Sequence, residues 1–286
     1  MAIKHEKIRL GEEELFQQIS KIFEQNNLPY KFNQGSLQIQ ESKKHYVIKI
    51  NPIERDPKEI LRKEHENIQF PIIVKLFNKQ ILDYKARFDA EMANYEFLQN
   101  MAFQSIQLPK RVKIFDEIIV YEFIQGDTLL ALLRHNSLNS KVCELLAAFF
   151  SALHNCGKIF GDCRLNNFIF HNDSLFILDY EDIKQGVAQQ DVAQIASAFI
   201  DNYPGIFERC DIEKPFLALI NFLKAYFSRI ESPSPDYISL ITKGIRDTAI
   251  RRGKSISKDE WEKIERLIKE LRSEERRVEK ACRSWW

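Results

Sequence analysis

The stretch GDCRLNNFIFHNDSLFILDY, residues 161–180, constrains the fold of this chain more than any other. Phe168, Ile169 and Phe170 form one apolar run and residues 175–178 a second, while His171, Asn172, Asp173 and Ser174 between them supply turn chemistry. The pattern predicts two short antiparallel strands. Antiparallel pairing sets Asn167, just ahead of the first strand, beside Asp179, just behind the second, so both polar groups emerge at the open end of a hairpin. Asp162 stands five residues before Asn167, in the entering loop. Three oxygen-bearing side chains thus converge on one small volume, which suits a hard divalent cation and a reacting hydroxyl.

The rest of the chain sets the context for that volume. Its 286 residues, 44% hydrophobic and with a formal net charge of +1, can build a sizeable core in one or two lobes. The near-neutral balance argues against a general nucleic-acid or membrane-surface binder. From Arg251 onward there are 12 basic and 8 acidic residues, interleaved as on a solvated helix face. The N-terminus has no apolar signal region and no stretch approaches a membrane span, so a cytoplasmic protein is expected. Five cysteines, with no C-x-x-C pair, argue against a disulfide framework or a structural zinc site. Of these, Cys163 lies in the entering loop, where it is either a reactive thiol or a small filler.

Periodicity divides the chain into two parts. Residues 12–23 carry Leu15, Phe16, Ile19, Ile22 and Phe23 at helical spacing, and residues 37–39, 46–50, 71–77 and 118–123 read as strands. Asp83 is placed to cap a helix running to about Met101, and the charged stretch 51–69 reads as an insertion with room for a helix. After Gly126 the pattern is helical. Ser140 is placed to cap a helix bearing Val142, Leu145, Leu146, Phe149 and Leu153 and ended by Gly157. Further helices are expected over residues 193–200, 216–230 and 237–251, broken by Pro204, Pro215, Pro233 and Pro235. A last one opens with the capping box Ser257 to Glu260 and carries Trp261, Ile264, Ile268 and Leu271 on one side. The layout is an α+β chain, sheet first and helices after, with the chemistry just beyond their junction.

With these residues in place the chain resembles the protein-kinase-like superfamily over roughly residues 70–200, in its atypical group of Rio, Bud-type, lipopolysaccharide-sugar and aminoglycoside kinases. Residues 162–167, DCRLNN, match the catalytic loop D-x-[KR]-x-x-N, and LDYE at 178–181 matches the I-D-F-[GE] segment. The resemblance implies a bilobal fold, with an antiparallel-sheet N-lobe over 1–124, carrying an extra helix and an insertion, and a mainly helical C-lobe over 125–286. It also implies an ATP- and magnesium-dependent phosphotransferase acting on a hydroxyl, with protein serine or threonine the leading acceptor. A sugar or alcohol kinase, or a nucleotide-binding scaffold with little catalysis, is the alternative.

The roles follow the needs of phosphoryl transfer. Asp162 is expected to take the acceptor's proton, Arg164 to face the γ-phosphate, and Asn167 and Asp179 to hold magnesium. Lys75, inside the apolar strand IIVKLF, is costly to bury unless it meets an anion; the kinase pattern gives it the ATP phosphates and pairs it with Glu91, with Lys49 and Glu96 as rivals. Glu122 and Phe123 read as the hinge whose backbone binds adenine. Glu181 and Asp182 are either supports of the metal ligands or solvent-facing turn residues, Asp191 caps its helix and braces the catalytic loop, and His154 is a structural hydrogen-bonder. Three departures qualify the pattern. Phe160 stands where a histidine is usual, no G-x-G-x-x-G precedes Lys75, and only eleven residues separate Asp179 from Asp191, too few for a conventional activation loop.

Overall fold

The computed structural model describes residues 10–26, 28, 30–41, 45–52, 70–101, 103–115, 117–200, 213–230 and 237–251, with 258, 259, 262 and 266 beyond them. In chain order the first elements are α1 (Glu12–Gln25), β1 (Leu37–Glu41), β2 (His45–Ile50), β3 (Ile72–Phe77), α2 (Tyr84–Asn100), β4 (Ile106–Gln107), β5 (Arg111–Ile114) and β6 (Ile118–Glu122). There follow β7 (Asp127–Thr128), α3 (Leu129–Arg134), α4 (Ser140–Asn155), β8 (Lys158–Ile159), β9 (Phe168–His171), β10 (Ser174–Ile177), β11 (Lys184–Gln185), α5 (Ala188–Ile200), α6 (Glu213–Phe227) and α7 (Tyr237–Arg251). By contacts the chain divides into two compact units, Met1–Asp89 with Pro109–Ile124, and Ala90–Leu108 with Gln125–Trp286.

The first unit is an antiparallel sheet in the order β1-β2-β3-β6-β5. Strand alternation sorts its residues onto two faces. Ile48, Ile50, Ile72, Val74, Leu76, Ile118 and Val120 lie on one, in a core with Leu15, Ile19 and Phe23 of α1. Directly opposed partners share a face, so the pairs Val47↔Lys75, Lys49↔Ile73 and Lys75↔Ile119 put both lysines on the other. The N-terminal helix therefore covers the side opposite Lys49 and Lys75. Residues 53–69, which hold most of the charged insertion, fall outside the described residues, as do most of the last expected helix and its capping box.

The second unit packs helices on a small sheet ordered β4-β10-β9-β7, in which β9 and β10 form the expected hairpin. Asn172 and Asp173 at its tip have φ of 45° and 62°, the left-handed pair that a tight two-residue turn requires. Below the hairpin, Phe149, Phe150, Phe160, Phe168 and Phe222 form one aromatic cluster with ring separations of 5.3–6.2 Å. Each such pair adds about 0.5–1.5 kcal/mol beyond its buried area.

Three helix boundaries differ from expectation. Asn139, not Ser140, caps α4, its Oδ1 accepting the Val142 amide at 3.1 Å. Helix α5 begins at Ala188, so Asp191 lies inside its first turn rather than at the cap. Pro215 opens α6 instead of breaking it, because a proline in the first turn forfeits no intrahelical hydrogen bond. No helix among the described residues is long and apolar enough to cross a membrane.

Candidate active site

The catalytic-loop residues all belong to the second unit and are brought together by the hairpin. The Leu178 amide donates to the Asn167 carbonyl at 2.8 Å, extending the ladder one step past Phe168↔Ile177 and fixing Asn167 beside the strand that leads into Asp179. Asp179 has φ of 54°, a left-handed conformation that Asp tolerates better than most residues and that turns the chain sharply after the strand. The Asn167 side-chain amide donates to the Asp162 carbonyl at 3.0 Å, which leaves its Oδ1 as the only ligand atom it can offer a metal.

Arg164 holds Asp162 through one edge of its guanidinium. Its Nε donates to Oδ1 at 2.7 Å and to Oδ2 at 3.0 Å, a terminal nitrogen also bonds Oδ2, and that nitrogen lies 3.7 Å from Asp179 Oδ2. The Asp162 hydrogen bond, and then the charges of Asp162, Asp179 and Asp182, hold the guanidinium above its ordinary pKa, against the opposing effect of partial burial.

The loop is braced from behind by Asp191, which is fully buried. Its carboxylate accepts the amides of Phe160 at 2.6 Å and Gly161 at 3.0 Å, and His154 Nε2 at 3.0 Å, while His154 Nδ1 lies 2.7 Å from the Tyr226 hydroxyl. Gly161 is required here: its φ is 82°, and a Cβ would come within 2.8 Å of the Asp182 carbonyl. Phe160 fills the aromatic cluster in place of the usual histidine, so the loop is held through its backbone rather than through that side chain.

Two residues gain a role that the sequence left open. Asn94 of α2 donates to the carbonyls of Tyr180 at 2.9 Å and Ile183 at 3.1 Å, gripping the segment after Asp179. Glu91, one turn earlier on that helix, is thereby brought to Asp179 and Glu181, with carboxylate oxygens of all three within 4.8 Å of one another. Glu181 is buried, not a solvent-facing turn residue. Hard oxygen donors so close together could hold a divalent cation.

In the first unit Lys75 is 5% exposed, and its ammonium lies 5.3 Å from the Phe77 ring centroid. Lys49 instead sits over the Phe123 ring at 3.9 Å, packing against the expected hinge. The hinge amides are already used: Glu122 donates to the Lys110 carbonyl at 3.0 Å and Phe123 to the Pro71 carbonyl at 3.1 Å. Proline has no N–H to give back, so the Phe123 carbonyl receives nothing from Pro71.

Cys163 is buried in the loop, and burial, then Asp191, pushes its thiol well above the usual range; burial pushes Cys143 to about 12. Both thiols therefore stay protonated near neutrality. In the native protein, iodoacetamide at about pH 8 should alkylate exposed Cys156 and spare Cys143 and Cys163. Peptide mass spectrometry reads the pattern, and native labelling of Cys163 would contradict its role as a packed filler.

A family model of the RIO domain matches residues 36–201. No curated protein sequence matches the chain. Among solved structures, the chain is similar to macrolide 2'-phosphotransferase MphH from Brachybacterium faecium, with a TM-score of 0.55, 11% identity, and coverage of 88% of this chain and 98% of that one. It is also similar to the amicoumacin kinase hAmiN in complex with AMP-PNP, Ca2+ and Ami, at 0.53, 15%, 89% and 93%. Aminoglycoside phosphotransferase APH(2'')-Ib, solved with ADP, gives 0.52, 15%, 88% and 96%. At these identities the likeness carries the fold, an antiparallel-sheet part followed by helices.

Proposed function

The chain belongs to the RIO domain family and is a kinase of the protein-kinase-like superfamily, and on that premise we propose that it transfers the γ-phosphate of ATP, with magnesium, to a hydroxyl group. The observation that carries the reading is the arrangement of Asp162, Arg164, Asn167 and Asp179, held by a hairpin ladder and by the buried Asp191. Asp162 orients the acceptor hydroxyl and takes its proton, while Arg164 turns toward the γ-phosphate. Asn167, Asp179 and Glu181 are the ligands for magnesium, which when bound neutralises phosphate charge. Lys75 is assigned to the nucleotide phosphates. Because the Glu122 and Phe123 amides are already bonded, the adenine edge is assigned to the Phe123 carbonyl and the amides from Ile124 onward.

For the acceptor, a small molecule fits better than a protein side chain. Eight residues join Asp179 to the start of α5, and β11 within them pairs back onto β8, so this stretch offers no long segment against which a peptide could lie.

The test is a thermal shift with ATP, followed by turnover. Saturating ATP should raise the melting temperature only when magnesium is present, since ligand at 100 times its Kd adds about 2.7 kcal/mol. Asp179→Asn should remove the magnesium-dependent part and leave the unliganded melting temperature nearly unchanged. Stabilisation without phosphate transfer to any alcohol or to water would identify a binding scaffold, and no stabilisation would reject the nucleotide site.

A further inference from the structure

We propose that Arg164 is a tethered rival of the divalent cation: its guanidinium spans Asp162 and Asp179, and nucleotide phosphate must draw it away before the metal is held at full strength. The inference rests on the phosphotransferase reading and adds to it an order of events, in which metal and nucleotide bind cooperatively because one side chain links them.

The geometry supplies the competition. One terminal nitrogen of Arg164 bonds Asp162 Oδ2 and lies 3.7 Å from Asp179 Oδ2, and Asp179 is also the carboxylate that approaches Glu91 and Glu181. Asp179 thus faces the guanidinium and the cluster suited to a divalent ion. A cation on Asp179 and a guanidinium beside it repel each other, so each weakens the other's hold. Arg164 cannot relieve this by losing its proton, since a guanidinium stays charged at any relevant pH.

The same geometry supplies the release. The Arg164 side chain is 68% exposed, against 19% for Asp162 and 23% for Asp179, so the fork can swing while the carboxylates stay in place. A γ-phosphate presents oxygens that match the planar fork in pairs. Once the fork moves to phosphate, it no longer competes with the metal for Asp179 or with the acceptor proton for Asp162. The guanidinium also offsets repulsion among Asp162, Asp179 and Asp182, whose charges all act on it. Arg164 is accordingly a positioning residue for the metal as well as a phosphate contact.

The experiment measures Mn2+ binding by the electron paramagnetic resonance of free Mn2+, with and without AMP-PNP, in wild type, R164M, R164K and R164M/D179N. R164M keeps the length of the side chain and removes its charge. Its Mn2+ Kd without nucleotide should fall roughly 5- to 10-fold below wild type, and the tightening produced by AMP-PNP should shrink by a similar factor. R164K, which keeps a charge but loses the fork, should lie between. The gain should vanish in R164M/D179N. Unchanged or weaker Mn2+ binding in R164M, undiminished coupling to AMP-PNP, a gain that survives D179N, or no Mn2+ binding by either protein would each overturn the proposal. Failure of wild type to bind AMP-PNP would instead remove the phosphotransferase reading, while the nucleotide-free comparison of R164M with wild type still decides whether Arg164 and the metal compete.

Discussion

Asp162→Ala should lower the rate of phosphate transfer about 10²- to 10⁴-fold, the range that a positioned general base contributes. Nucleotide affinity should change little. The reason lies in which atoms of residue 162 do what. Asn167 is anchored to the Asp162 carbonyl, a backbone atom that the substitution leaves in place, so the metal side of the site keeps its geometry. The loop itself hangs on the Phe160 and Gly161 amides, which Asp191 holds regardless of the side chain at 162. What is lost is the carboxylate and its pairing with an exposed Arg164, and an ion pair of that exposure is worth under about 1 kcal/mol of stability. Single-turnover kinetics with ATP, beside nucleotide binding by the same variant, separates the two effects. A rate within a factor of a few of wild type would mean that another group takes the proton.

The hairpin was legible because everything that defines it is local. Two apolar runs, a His-Asn-Asp-Ser turn and polar residues at both outer ends suffice to place Asn167 near Asp179, and the observed register Phe168↔Ile177 adds only the step to Leu178. Four of the five strands of the first unit were legible for the same reason, as short runs of β-branched and aromatic residues, whereas β5, RVKI, alternates with charged residues and went unread. Helix starts were less so. Ser140 and Asn139 are both good caps in adjacent positions, and which one stops being helical is decided by the approach of the preceding chain. The three residues by which α5 precedes Asp191, Ala188, Gln189 and Gln190, carry no apolar stripe to mark them as helical.

The parts of the site that sequence reading placed less well depend on contacts across long separations. The grip of Asn94 on the carbonyls of Tyr180 and Ile183 spans 86 and 89 residues, and it is what sets Glu91 beside Asp179 and Glu181. The spacing of Glu91 and Asn94, one turn apart on one helix face, was the available sign that both look the same way. The commitment of the Phe123 amide depends on Pro71, a strand partner distant in sequence. Alternation within IIVKLF, by contrast, correctly sets Lys75 apart from Val74 and Leu76, and the sheet register puts it on the face away from α1.

Asp191→Ala should be the most destabilising single substitution in the loop, by about 3–5 kcal/mol, and should lower the melting temperature by roughly 10 °C. Asp191 is fully buried and its two oxygens serve three donors: the Phe160 and Gly161 amides and His154 Nε2. Alanine leaves those donors without their acceptor, beside the rings of Phe150, Phe160 and Tyr226. Gly161 then has little to keep it at its left-handed φ, and Asp162, the next residue, loses its bearing. The rate should therefore fall even in the fraction that remains folded, with nucleotide KM changing less than kcat, because Asp191 touches neither nucleotide nor acceptor. Tyr226→Phe removes the outermost bond of the chain, at His154 Nδ1, and should cost about 1 kcal/mol. Urea unfolding of both variants and kcat measured well below their melting points give the comparison. Equal losses in the two variants would show that the support runs chiefly through the histidine, and a folded Asp191→Ala with wild-type kcat would show that the loop holds its own shape.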